Sequence, residues 1–296
     1  MEPSSLAAGD AVRERLWAGA VPVVFSLDAS EVTTLHTPRP FYAMVPRMSF
    51  LVSQTRVAIE YFRDAAPPVA AGSGGIWFAT ADGHPLPWHV PFGLLRDLHG
   101  RNAELPWRIT VRFLGFPSDK LLPCENERSV ETHFMHSLKQ ATYLRSGSTK
   151  AIMALPEAQQ NQIWTSVVKM LTDRVSDDYA SYRQAMTDVV PLDTDPAALK
   201  HLPLRVYLDD SPAIQMPITP LQNGEEKTLG DVLSYLLPDL FPADAVEDSK
   251  WQLLVHGVAV PPHVSVVALY WHFAYADGFL YVSVVPSDAS SPAAAS

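Results

Sequence analysis

Apolar and polar positions alternate most cleanly over residues 107–114 (WRITVRFL), where Ile109, Val111 and Phe113 face one way and Arg108, Thr110 and Arg112 the other. That period of two predicts a half-buried strand. Upstream, residues 12–18 read as a short helix stopped by Gly19, and 21–27 and 41–46 as strands. A helix is predicted over 49–63, with Leu51, Thr55, Ala58 and Phe62 on one face. Residues 76–80 and 85–91 flank Ala81-Asp82-Gly83, a hairpin signal, and 92–100 read as a short helix ending in Gly100. Residues 120–190 carry a helical period instead. Val130, Phe134, Leu138 and Ala141 form one stripe, Ile163, Trp164, Val167 and Leu171 a second, and Tyr179, Tyr182 and Met186 a third. Beyond 200 the strand grammar returns. Residues 202–208 and 214–219 read as a hairpin, then Thr228 as the N-cap of a helix carrying Leu229, Val232, Leu233, Leu236 and Leu237. Residues 251–255 read as a strand, 264–273 as a short helix and 280–285 as a closing strand.

Hairpin, helix, strand thus occurs twice, over 76–114 and 202–255, with low residue identity between the copies, a repeat of pattern only. A hairpin crossed by one helix and followed by a parallel strand begins a β-grasp, the ubiquitin-like fold. One helix on one sheet face accounts for strands that alternate. The expected class is α+β: two ubiquitin-like domains, at 11–116 (with an N-terminal helix) and 200–286, flanking a helix-rich domain at 120–190. Residues 1–10 and 287–296 are small and polar and are expected to be flexible tails.

Composition narrows the chemistry. The 296 residues are 47% apolar and 18% charged, an ordinary globular balance. Proline, at 26 residues, favours short elements punctuated by turns. A net charge of −10 argues against nucleic-acid binding, which rests on basic surfaces. One cysteine, Cys124, excludes an internal disulfide and a multi-cysteine metal site. The N-terminus MEPSSLAAGD lacks a signal-peptide pattern, and the most apolar stretch, 251–276, is broken by Pro261, Pro262 and three histidines. A cytoplasmic protein is expected.

The catalytic and nucleotide-binding motifs GxGxxG, P-loop and GxSxG are missing from the chain. Gly72-Ser73-Gly74-Gly75, inside the Ala/Pro/Gly loop 64–75, reads as a linker. Cys124 is a nucleophile only if the fold supplies a base. His133 and His136 have a spacing that serves metals, yet no HExxH or third ligand accompanies them. Surface histidines on a wet face are the better reading, and His84, His89 and His99 are scattered. No metal or cofactor is expected. Trp77, Trp107, Trp164, Trp251 and Trp271 read as core, while Trp88 could rim a partner groove. Asp209-Asp210 and Glu225-Glu226 read as solvated turns. One charge asymmetry stands out. Residues 128–150 carry Arg128, Lys139, Arg145 and Lys150 against Glu131, whereas the 200–286 block holds four basic residues against ten acids. A basic helical segment in an acidic chain suggests a docking surface.

Longer strings carry a resemblance. LWAGAVPVVFSL, FYAMVPRMSFL, IWFATADGHPLPWHVPFGLLRDL, LPWRITVRFLGFP, ETHFMHSLKQA, LPLRVYL, TLGDVLSYLLP and VHGV occur in that order. Together they resemble the autophagy protein 5 family over about 11–286. Two departures are an Ala/Gly/Pro-rich 64–75 and Arg96, where the family implies an apolar residue. The resemblance implies two ubiquitin-like domains flanking a helical bundle and no catalytic residue. It further implies that the lysine of the HFMxxxK motif, here Lys139, accepts the C-terminal glycine of ubiquitin-like autophagy protein 12 in an isopeptide bond. The conjugate would bind the N-terminal helix of autophagy protein 16 and promote transfer of autophagy protein 8 to phosphatidylethanolamine, peripherally at the preautophagosomal structure membrane. The partner helix is expected between the first block and the helical bundle, with Arg13 and Arg15 facing acidic partner residues. Independently, a helical wheel at ~100° per residue puts Lys139 about 140° from Phe134, opposite the apolar stripe, with an exposed amine among polar, positive neighbours His136 and Arg145. Two rivals remain: an unmodified adaptor with β-grasp modules, and a thiol or metal hydrolase using Cys124 and nearby histidines.

Overall fold

The computed structural model describes residues 3–69, 74–124, 126–169, 175–187, 189, 196–208, 211–247 and 249–287. Gly72, Ser73, Leu171, Asp209, Asp210 and the tail beyond 287 lie outside them. The described residues form α1 (Pro3–Trp17), β1 (Ala20–Leu27), β2 (Phe41–Pro46), α2 (Leu51–Gln54), α3 (Arg56–Arg63), β3 (Trp77–Thr80), α4 (Phe92–His99) and β4 (Trp107–Arg112). Then come α5 (Glu127–Ser146), α6 (Lys150–Met153), α7 (Glu157–Val168) and α8 (Val175–Met186). The last third comprises β5 (Leu204–Leu208), β6 (Leu221–Gln222), β7 (Glu225–Glu226), α9 (Leu229–Leu236), β8 (Trp251–Val255), β9 (Val258–Ala259), α10 (Val266–Phe273) and β10 (Leu280–Pro286). The class is the expected α+β, with a ubiquitin-like sheet on each side of the helical region in the sequence. The chain divides into two compact units. One is Trp17–Phe134 with Trp164–Tyr179, and the other Met1–Leu16, Met135–Ile163 and Ala180–Ser296.

In the first of these units the sheet order is β2-β1-β4-β3. The β1–β2 hairpin is antiparallel, and β4 returns parallel to β1, with Val23 opposite Trp107 and Leu27 opposite Val111. Val23, Phe25, Ile109 and Val111 are buried on the helix face, as the alternation predicts. The helix over 49–63 is broken at Thr55, where φ −104° and ψ 2° separate α2 from α3. Its predicted face of Leu51, Thr55, Ala58 and Phe62 is nevertheless buried.

Two readings of strand pairing are corrected. The hairpin over 76–91 is reduced to one antiparallel bridge, Ala79 to Pro85; β3 forms its ladder antiparallel with β4 instead, and Pro91 bridges Phe50. Asp82 and Gly83 do turn the chain, Gly83 at φ +87°, but Pro85, Pro87 and Pro91 have no N–H to offer a ladder. The repeated motif is also placed differently. The parallel return in the first copy is from β1 to β4, so that copy begins near residue 20. In the second copy the sheet order is β5-β10-β8-β9, and the parallel partner of β5 is β10; β8 runs antiparallel to β10. Residues 214–219 form only bridges, Ile214 to Val206 and Ile218 to Leu202.

Arg96, the residue out of pattern, donates to the Ala103 carbonyl at 2.9 Å and holds its guanidinium 5.7 Å from the Trp107 ring centre. A cation–aromatic contact and a long aliphatic stem let it stand in for an apolar side chain. Nearby, Arg47 Nη2 donates to both Asp97 oxygens, at 2.6 and 2.7 Å. Gly93 fits there because a Cβ would stand 2.9 Å from the Arg47 carbonyl.

The other unit contains a contiguous core: Leu204, Val206, Leu229, Val232, Leu233, Phe241, Leu253, Val266, Leu280 and Val282, among others. Thr228 caps α9 as the spacing predicts. At the N-terminus the helix is longer than 12–18, and residues 3–10, expected as tail, belong to α1. Among the described residues no helix is long and apolar enough to cross a membrane.

Candidate functional site

Lys139 sits near the middle of α5, and the site is the turn of helix around it. Asn126 starts α5, its Oδ1 accepting from the Ser129 N–H at 3.2 Å. Gly147 ends it at φ +74°, a left-handed stop that glycine adopts without strain. The carbonyls of Leu144 and Arg145, which no later helical N–H can reach, accept from His201 and Lys200 at 3.0 and 2.7 Å.

The predicted stripe of Val130, Phe134, Leu138 and Ala141 is buried, but it is wider than the apolar residues alone indicate. Ser137, Thr142 and Arg145 are buried with it. Thr142 satisfies its hydroxyl by donating to the Leu138 carbonyl at 2.8 Å. Lys139 therefore lies at the edge of a broad buried arc and is half-buried, not fully exposed as the wheel implied. His136, Gln140 and Tyr143 are exposed around it, Tyr143 at 57%. Arg145 does not supply surface charge: it is 6% exposed and donates to the Val189 carbonyl. The basic segment 128–150 thus loses one of its four cations to the interior. Arg13 is likewise engaged within the chain, donating to the Trp271 carbonyl at the end of α10.

The residues flanking Lys139 are held from below. Gly278, at φ +82°, comes so close to α5 that an added Cβ would stand 3.1 Å from Ala141 and 3.6 Å from Leu138. Gln140 Oε1 accepts from Arg205 Nη2 at 2.8 Å. Arg205 also donates to Gln215 Oε1 at 2.8 Å and to the Tyr281 hydroxyl at 3.1 Å, and it lies 3.8 Å over the Phe279 ring. Tyr281 in turn donates to Asp277 Oδ2 at 2.5 Å, and the Phe279 N–H donates to Oδ1 at 3.2 Å. Burial pushes the Asp277 carboxyl above its usual range, with Arg205 pulling against it. Burial, then the neighbouring Asp277, pushes the Tyr281 phenol up as well. None of Arg205, Gln140, Asp277 and Tyr281 was singled out by sequence, because no local pattern links residues this far apart in the chain.

Cys124 is half-buried, and its thiol donates to the Asn126 carbonyl at 3.5 Å. His133 is not a wet-face histidine: it packs edge-on to Trp88 at 5.7 Å and against His89 at 5.3 Å. Trp88 donates to the Leu122 carbonyl at 2.9 Å. His84 and His99 are stacked at 4.2 Å. Among the described residues no three His, Cys, Asp or Glu side chains gather where they could hold a metal ion. Trp77, Trp107 and Trp164 are buried; Trp88, Trp251 and Trp271 are half-buried. Glu225 and Glu226 are exposed, paired through the short β6–β7 ladder.

Family models match in sequence order. Residues 16–113 match "Autophagy protein ATG5, UblA domain", 127–191 its alpha-helical bundle region, and 201–284 its UblB domain. The chain is 30% identical over 272 residues to an autophagy protein 5 of Arabidopsis thaliana, covering 79% of each. It is 29% identical over 276 residues to that of Drosophila melanogaster, covering 92% of this chain and 96% of the relative. The crystal structure of Kluyveromyces marxianus Atg5 superposes with a TM-score of 0.73 over 93% of this chain and 99% of that one, at 21% identity, and so shares the fold. With its modules matched in order and its relatives aligned nearly end to end, the chain belongs to the autophagy protein 5 family and has its role in autophagy.

Proposed function

We propose that this chain is a non-catalytic scaffold that carries ubiquitin-like autophagy protein 12 on Lys139 through an isopeptide bond. The Lys139 amine attacks the carbonyl of the modifier's C-terminal glycine, held as a thioester on a carrier enzyme. A C–N bond forms, the C–S bond breaks, and the carrier thiol leaves with the proton the amine gives up. The observation that carries this reading is the placement of Lys139. It stands in the HFMHSLKQA motif, half-buried at the edge of the buried arc of α5, between exposed His136 and Tyr143. The scaffold then binds the N-terminal helix of autophagy protein 16, and the assembly promotes transfer of autophagy protein 8 to phosphatidylethanolamine. It works from the cytoplasm, peripherally at the preautophagosomal structure membrane. Residues 11–116, 120–190 and 200–286 are its working domains. No cofactor, metal or nucleic acid enters this scheme.

Lys139→Arg tests it, because arginine keeps charge and helix propensity but offers no transferable amine. In cells the higher-mass conjugate disappears while the fold and the binding of the partner helix persist. A conjugate that survives in Lys139→Arg and vanishes in Lys150→Arg or Lys120→Arg refutes the assignment. A wild-type chain that never gains the mass of one modifier is an unmodified adaptor.

A further inference from the structure

We propose that Arg205 and Gln140 form a clamp that positions Lys139 for the attack, so that the second ubiquitin-like sheet sets the aim of the acceptor amine. The inference rests on Lys139 being the acceptor and adds how its helix is held. Leu138 and Gln140, the immediate neighbours of Lys139, and Ala141 next along are all fixed from the β5–β10 side. Gly278 abuts Leu138 and Ala141, and Arg205 pins the Gln140 amide at 2.8 Å. Between these holds, the backbone of the Lys139 turn has little freedom to rotate about the helix axis.

The clamp is itself rigid. Arg205 spreads its guanidinium over three acceptors, Gln140, Gln215 and the Tyr281 hydroxyl, and rests on the Phe279 ring. Tyr281 is fixed by Asp277, whose other oxygen is held by the Phe279 N–H. Asp277, Phe279 and Tyr281 lie in or beside the turn whose Gly278 touches α5. One short segment therefore braces both Arg205 and the underside of the helix. A planar fork suits this task; a lysine ammonium would not span the same acceptors. Amine attack on an ester-like carbonyl depends steeply on geometry, and a displacement of about 1 Å can cost up to ~100-fold in rate. Arg205 and Gln140 act through Lys139 and are positioning residues.

Gln140 is exposed, and its loss leaves Arg205 with Tyr281, Gln215 and Phe279, so Gln140→Leu keeps the fold. The assay uses the purified full chain and autophagy protein 12 thioester-linked to its carrier enzyme, and follows single-turnover transfer as donor concentration is varied. Gln140→Leu lowers the saturating rate roughly tenfold and leaves the half-saturating donor concentration unchanged. Gln140→Glu, which gives Arg205 a carboxylate to hold, keeps the wild-type rate. A Gln140→Leu chain as fast as wild type overturns the clamp while leaving Lys139 as acceptor. A raised half-saturating concentration at an unchanged saturating rate also overturns it, because Gln140 would then be touching the donor. A wild-type chain that accepts no modifier removes the Lys139 reading, and the clamp falls with it.

Discussion

The carboxylate of Glu31 accepts the Phe113 N–H at 2.6 Å, closing the loop after β1 onto the end of β4. Glu31 is 5% exposed, and its other oxygen faces Arg112, 3.5 Å away, which also reaches Asp28 at 3.3 Å. Backbone and cation together make burial of this acid tolerable. Glu31→Ala leaves a buried N–H without an acceptor and should destabilise the chain by about 2–3 kcal/mol. Glu31→Gln keeps the acceptor and should cost about half as much. Denaturant unfolding followed by tryptophan fluorescence separates the two; equal effects would mean the Phe113 bond contributes little.

Thr228 and Asp231 cap α9 reciprocally. Thr228 Oγ1 accepts from the Asp231 N–H at 3.1 Å, and Asp231 Oδ2 accepts the Thr228 N–H at 2.8 Å. The Thr228 hydroxyl, and then its N–H, hold the Asp231 carboxyl below its usual value of 3.8. A folded value below the unfolded one gives stability that is complete above that usual value and is lost as pH falls through the folded value. Thr228→Ala should cost about 1 kcal/mol at neutral pH, and the deficit should shrink as Asp231 protonates. A deficit independent of pH down to strong acid would contradict the role of the carboxylate.

Local chemistry made the elements readable, and long-range closure was hidden. The alternation of Ile109, Val111 and Phe113 identified β4, and the Thr228 cap identified α9. That β4 lies between β1 and β3 depends on which distant strand it meets, and nothing in WRITVRFL encodes this. Asp82-Gly83 gave a true turn, but the hairpin it closes stops at one bridge, Ala79 to Pro85, because the three prolines of the second arm offer no N–H. At the site, the apolar stripe of α5 was legible, but the burial of Ser137, Thr142 and Arg145 was not. These polar side chains enter the core only because carbonyls such as those of Leu138 and Val189 are there to receive them. The HFMHSLKQA string pointed to Lys139, whereas Arg205 and Gln140 come together only in the tertiary fold.

The second ubiquitin-like region should fold by itself if cut in the right place. Among the described residues, the members of its core cluster all lie between Leu199 and Val284. A fragment of residues 196–287 should unfold cooperatively in calorimetry, and one starting at 200 should be less stable because it lacks Leu199, which is 4% exposed. Both should be weaker than the intact chain, having lost the Arg205–Gln140 bond and the Tyr182 hydroxyl on the Ala276 carbonyl. Buried hydrogen bonds of this kind contribute about 1 kcal/mol each. Non-cooperative melting of the longer fragment would show that the sheet needs α5 or α8 to fold.

Cys124 separates a scaffold from a thiol enzyme. A catalytic thiol depends on thiolate character, which positive neighbours promote. Here the thiol donates to the Asn126 carbonyl, and the first turn of α5 carries the acidic Glu127. A serine hydroxyl can make the same bond at a shorter distance, so Cys124→Ser should change stability by no more than about 0.5 kcal/mol. The conjugate on Lys139 should form at the wild-type rate, and lipidation of autophagy protein 8 should be unchanged. The measurement is paired: unfolding of the purified variant, and the conjugate and lipidated product in cells. Loss of the products with the fold intact would mean that the sulfur performs chemistry, and the thiol-enzyme reading would then replace the scaffold.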